Sequence, residues 1–296
     1  MLENILPNEM AHLIKKFVSL KNLCEIRIRL NAPIILDIAG VFYSINENGL
    51  CSLNRGIVCD KHFIESVMYI CSNHSMYLKV NQIKQGFLTL DGIRIGVCGE
   101  MVNNEENIIN IKNIQSLNIR MPHIVLGFSE TVFPFICNNN KIHNTLIIAP
   151  PGAGKTTLLR DIAMKFTTLK RFINMLIIDE RYEIINNLEN FNYRVDAIYG
   201  GVKSYNIISG IRSMNPKIIF TDELANESDF SAIKYACNSG VNIIATMHGK
   251  DVNDYNFKFK CKEKIFTRFI VLSNKGNGFF SKEVFDEFGA LLYKDL

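Results

Sequence analysis

The stretch TLIIAPPGAGKTTLLRDIAMKF, residues 145–166, governs how the rest of the chain is read. Thr145 to Ala149 is a short unbroken apolar run, the pattern of a strand buried on both faces. Pro150 to Gly154 interrupts it, and apolar residues then recur at helical spacing. Strand, glycine turn and helix in that order predict a phosphate-binding loop. Gly152 and Gly154 let backbone N–H groups turn inward, with Pro151 and Ala153 completing the turn. Lys155 supplies a point charge for β and γ phosphates and Thr156 a hydroxyl for Mg²⁺, with Thr157 beside it. The helix N-terminus behind them favours an anion through its dipole and free amides. Ala149 stands where the strict pattern has its first glycine. A residue before proline is held extended, which alanine tolerates.

Downstream, the grammar repeats. MLIIDE (175–180) and IIFTDE (218–223) are apolar strands that both end in Asp-Glu. Asp222 is the candidate to hold Mg²⁺ through water, and Glu223 the candidate to polarise an attacking water. Glu180 is the second carboxylate that fits, and an ordinary strand-ending turn is the alternative for each pair. VNIIATMHG (241–249) adds a further strand with His248 at its end, a candidate sensor of the γ-phosphate or a plain loop histidine. FIVL (269–272) is a late strand. Apolar strands alternating with helices predict a mostly parallel sheet covered on both sides, and such a sheet gathers its strand ends at one crevice.

The first half reads differently. CEIRIRL alternates with period two, Ile26, Ile28 and Leu30 against Arg27 and Arg29. IILDIAGVFYSI predicts a hairpin turning near Gly40, and GFLTLDGIRIGVCG one turning at Asp91-Gly92. SLNIRM is one more strand. Helices are expected over Met10–Leu20 and His62–Cys71, and a further one over Glu130–Cys137 in the polar seam. The expected division is a smaller N-terminal mixed α/β domain over residues 1–125 and a P-loop domain over 126–296.

Composition narrows the class. The chain has 296 residues, 48% hydrophobic and 21% charged, which excludes a disordered or fibrous protein. A net charge of +4 is too mild to argue nucleic-acid binding. No apolar run is long enough for a spanning helix, and the N-terminus is not a secretory signal. Eight cysteines form no CxxC pair, so a reducing cytoplasm is expected, with Cys24, Cys71, Cys98 and Cys237 as small buried hydrophobes. The run FKFKCKEK (257–264) is read as a solvated lysine face, with an anionic patch as its alternative.

APPGAGKTTLLRDIA, IIDERYEI, GIRSMNPKIIFTDEL and IIATMHG, taken in order, resemble the P-loop traffic ATPases of type II and type IV secretion. With CEIRIRLNAP, GIRIGVCG and SLNIRM, they resemble more closely the stage III sporulation AA family of endospore-forming bacteria. That resemblance implies a RecA-like C-terminal domain and a homo-hexameric ring that hydrolyses ATP with Mg²⁺. It also implies a cytoplasmic protein peripherally attached to a membrane partner, the mother cell–forespore channel, and does not imply nucleic acid. Asp179, Glu180 and Glu183 fall in the family's acidic box, Glu223 on the second-strand glutamate and His248 in the histidine box. Arg94 and Arg120 sit where the family's N-terminal arginines reach the γ-phosphate; a solvated strand face is the other reading. Arg212 also matches, either at ATP or in a structural pair. The cysteine-rich metal insert frequent in type II secretion ATPases is absent, which fits the shorter sporulation branch. A RecA-like nucleic-acid motor and a nucleotide-gated scaffold without turnover are the rival functions. No LSGGQ-like segment supports an ABC-type transporter.

Overall fold

A computed structural model describes residues 2–73, 80–84, 86–90, 93–103, 108–121, 125–139, 141–180, 183–185, 191, 194–259, 264–276 and 279–295. The chain divides into two units, Met1–His123 and Ile124–Leu296.

In the first unit, strands β1 (Leu23–Arg29), β2 (Ile35–Ile38), β3 (Val41–Asn46), β4 (Gly49–Cys51), β5 (Phe87–Leu90), β6 (Ile93–Asn103) and β7 (Ile108–Arg120) form one antiparallel sheet. Their order is β4-β3-β2-β1-β7-β6-β5. Period-two alternation sends Ile26, Ile28, Ile119 and Ile95 into the core. Helices α1 (Asn8–Phe17) and α2 (Lys61–Cys71) close over that face with Met10, Ile14, Ile64 and Val67. Asp60 caps α2 by accepting from the Phe63 N–H at 2.7 Å. The β2–β3 hairpin turns through Ala39 and Gly40, both at positive φ, the type I′ geometry that suits a right-twisted ribbon. Strands β5 and β6 also pair as a hairpin, but Asp91 and Gly92 lie outside the described residues.

The opposite sheet face carries the charges. Register places Glu25, Arg120 and Arg94 side by side across β1, β7 and β6. Arg120 lies 3.5 Å and Arg27 2.7 Å from Glu25. Arg94 lies over the Phe87 ring at 4.3 Å.

The second unit holds β8 (Thr145–Ala149), β9 (Met175–Asp179), β10 (Val195–Tyr199), β11 (Ile218–Thr221), β12 (Asn242–His248), β13 (Arg268–Gly276), β14 (Phe279–Asp286) and β15 (Leu291–Lys294). The order is β10-β9-β11-β12-β8-β13-β14-β15. The first six are parallel, and β14 and β15 extend the sheet antiparallel. Strand β8 is buried at every residue because helices cover both faces. Ile147 packs against Leu158, Ile162 and Phe166 of α3 (Lys155–Thr167). Leu146 and Ile148 belong to the other core, with α4 (Lys203–Met214), α5 (Glu227–Asn238) and α6 (Val252–Phe259). Gly210 lets α4 approach β9, since a Cβ there would sit 2.4 Å from Leu176.

Three expectations need correction. Cys98 is exposed, because its strand turns it to the outer face opposite Ser116; Cys71 is buried, and Cys24 and Cys237 are half-buried. The helix expected over Glu130–Cys137 is a single turn, Phe133–Ile136, followed by the extended Cys137. Strands β10, β14 and β15 were not foreseen.

The thiols follow burial. Desolvation pushes Cys59 up to about 11 and Cys71 up to about 12. In native protein pulsed with a thiol reagent and mapped by mass spectrometry, Cys98 should be labelled before Cys59 and Cys71. Equal labelling of all three would contradict the placement of Cys98 on the open face.

Candidate nucleotide site

The sheet positions the site before any side chain is considered. Parallel registry sets Ala149 beside His248 and Thr221 beside Ala245, so β8, β11 and β12 finish at one edge. There a cavity of about 340 Å³ opens between the loop after β8, the ends of β11 and β12, and Glu183. Pro151, Gly152, Gly154, Lys155, Thr156 and Thr157 form one wall. Asp222, Glu223, Thr246 and His248 form the other.

Gly152 and Gly154 take φ of +74° and +83°, a region that strains any residue with a Cβ. Gly154 is the N-cap of α3 and uses no side chain there, leaving the first amides of the helix for a ligand. Ala153 is buried in the core beside the loop rather than in its wall. The Lys155 ammonium donates to the carbonyls of Ala149 and Pro150 at 3.0 Å, and approaches His248 Nδ1 at 3.0 Å. Burial lowers its pKa, with Glu223 and Glu183 opposing that shift. Because Nδ1 faces an ammonium it accepts, so the ring proton is assigned to Nε2. Nε2 in turn lies 3.2 Å from Glu223 Oε2. Lysine, histidine and glutamate therefore form one chain across the cavity.

Asp222 is only 4% exposed. Burial pushes its carboxyl up to about 6, against the pull of the Lys203 ammonium. Oδ1 forms an ion pair with Lys203 Nζ at 2.7 Å, and neither carboxylate oxygen has a hydrogen-bond partner of good geometry among the described residues. Asp222 and Thr156 line the same cavity, and a carboxylate with a hydroxyl is a donor set that fits hydrated Mg²⁺.

The first acidic strand contributes differently. Asp179 is fully buried and accepts from the N–H groups of Glu183, Ile184 and Ile185 at 2.8–2.9 Å. Burial raises its pKa even against those three bonds. Arg160 of α3 donates to the carbonyls of Glu183 and Ile184. Together they pin the short segment that brings Glu183 to the cavity. Glu180 stands outside the lining residues, 3.5 Å from Lys203. Arg212 is exposed in the last turn of α4. Arg94 and Arg120 lie on the charged face of the first unit.

Two participants were given no role by the sequence, Thr246 inside IIATMHG and Lys203 outside every motif. Thr246 reaches the cavity two residues before His248, on the same side of β12. Lys203 lay between the motifs, and only the fold brings it to the acidic residues.

A glycine loop between a buried parallel strand and a helix, with acidic strand ends beside it, defines a RecA-like P-loop domain. The chain belongs to the family described as sporulation stage III, protein AA, whose family model matches residues 1–292. It is 34% identical over 284 residues to stage III sporulation protein AA of Bacillus subtilis, covering 90% of this chain and 88% of that one. In structure it is similar to the ATPase DotB of Legionella pneumophila, with TM-score 0.65 and 14% identity over 95% of this chain and 81% of that one. The pilus retraction motor PilT with bound ADP gives TM-score 0.62 and 13% identity over 94% and 82% of the two chains.

Asp179 generates a stability prediction. Asp179→Ala leaves three backbone N–H groups without their acceptor and removes the negative charge near the Arg160 guanidinium, at a cost of about 3 kcal/mol. Urea unfolding of the two proteins measures it; a change below about 0.5 kcal/mol, the size of an ordinary surface effect, would contradict the role assigned to the carboxylate.

Proposed function

We propose that this chain is a Mg²⁺-dependent ATPase of the secretion type. The observation that carries the proposal is the convergence of the P-loop, Lys155, Thr156, Asp222, Glu223 and His248 on one cavity. A pure binding module needs the loop; it does not need a glutamate and a histidine opposite it.

Lys155 and the free amides at the start of α3 bind the β and γ phosphates. Thr156 and Asp222 are the residues to hold Mg²⁺, which when bound neutralises charge on those phosphates. Glu223 orients a water and takes its proton as the water oxygen bonds to the γ-phosphorus. The bond to the β-phosphate oxygen breaks, and ADP and phosphate leave. Glu180 is the reserve carboxylate. His248, which contacts Lys155 and Glu223, changes partners when a γ-phosphate is present and reports its loss.

The remaining elements come from the family resemblance. The working form is a homo-hexamer in the cytoplasm, peripherally attached to a membrane protein of the mother cell–forespore channel, which ATP turnover energises. No helix among the described residues is long and apolar enough to cross a membrane. Arg94 and Arg120 reach the γ-phosphate in the assembled ring, where a planar guanidinium matches phosphate oxygens.

Glu223→Gln keeps the cavity's shape and removes the proton acceptor. It should bind ATP within about threefold of wild type and lose about a hundredfold or more in turnover. Turnover retained in Glu223→Gln and lost in Glu180→Gln would move the base to β9. Arg94→Ala and Arg120→Ala should reduce hydrolysis more than nucleotide affinity; unchanged hydrolysis in both would remove them from the reaction.

A further inference from the structure

Lys203 opens α4, where the helix dipole disfavours a cation, and its side chain is only 3% exposed. A buried ammonium persists only if its surroundings replace water. Four acceptors do so here. Nζ lies 2.7 Å from Asp222 Oδ1 and 3.5 Å from Glu180 Oε2. It donates to the backbone carbonyls of Asp222, at 3.3 Å, and of Glu223.

These acceptors belong to the ends of two neighbouring strands. Glu180 follows β9, and Asp222 and Glu223 follow β11. Lys203 is not in the cavity wall, yet it grips the backbone of the residue whose carboxylate meets His248. A compact head with three rotatable donors suits such divergent acceptors, whereas a planar guanidinium fixes its donors in one fork.

We infer that Lys203 is a positioning residue: its ammonium ties the ends of β9 and β11 together and sets the Glu223 backbone, so that the carboxylate faces His248 and the cavity. The inference rests on the proposed role of Glu223 for its kinetic consequence, but not for its structural one. Lys203 touches no substrate. It acts on turnover through Glu223, and on charge by offsetting Asp222 and Glu180 so that neither crowds that carboxylate.

The decisive probe is the His248 ring in nucleotide-free protein, read by ¹⁵N–¹H NMR and assigned with His248→Gln. Lys203→Met fills the volume without donors. It should displace the His248 ring signals as Glu223→Gln does, while far-UV circular dichroism stays that of wild type. In ATP hydrolysis the same variant should lose about thirtyfold in kcat, with KM within about threefold, the split expected when a group acts on the transition state. If Lys203→Met does not fold, Lys203→Ala prepared in propylammonium chloride carries the test. Dialysing the amine away should shift the ring signals and lower turnover, and returning it should reverse both. Propanol, of similar size and no charge, should not. Unchanged ring signals in Lys203→Met, or equal rescue by propanol, would overturn the inference. Absence of hydrolysis by wild type would instead sink the ATPase reading, and the ring signals would still decide the role of Lys203.

Discussion

The site depends on the parallel arrangement of six neighbouring strands. Hydrogen bonding in a parallel sheet fixes all the carboxyl ends at one edge, and each strand needs a crossover to return. The loop after β8, the carboxylates after β11 and the histidine ending β12 are far apart in sequence and meet only because of that registry. Burial on both faces makes the registry hard to slip. A shift of one residue in β8 would exchange the residues packed on α3 for those packed under α4 to α6.

That scaffold concentrates charge in a place water leaves. Asp179, Asp222, Lys155, Lys203 and Arg160 are all nearly or fully buried. Each is matched by a neighbour, and the matching divides labour. Asp179 and Arg160 hold a loop, Lys203 holds two strand ends, and Lys155 with His248 and Glu223 spans the cavity. Removing one partner from such a buried pair typically costs about 3–5 kcal/mol, so the framework around the reacting groups is stiff. Stiffness of this kind is what a catalytic carboxylate requires, because its value lies in direction.

Much of this was legible in the sequence. The run TLIIAPPGAGKTT announces strand, loop and helix together, because each needs a different and conspicuous residue pattern. The strand ends at Asp222, Glu223 and His248 were visible for the same reason. What stayed hidden had weak or misleading local signals. Strand β10 is half-exposed, and Asp196 interrupts it, so it lacks the unbroken apolar run that marks its parallel neighbours. Strands β14 and β15 lie at the antiparallel margin, where Lys282, Glu283 and the exposed Leu291 and Leu292 blur the alternation. Asp179 is placed in the acidic box by resemblance, but the sequence does not show that its oxygens accept from three backbone amides. Lys203 carries no motif, since a buried lysine is recognised only by the company the fold gives it.

The central claim is that the cavity beside β8 hydrolyses ATP. Phosphate release from Mg-ATP by wild type and Lys155→Ala, measured side by side, tests it most directly. Release by wild type that vanishes in Lys155→Ala is the predicted result. Equal release by both proteins, or a wild type that binds no nucleotide, would contradict the account.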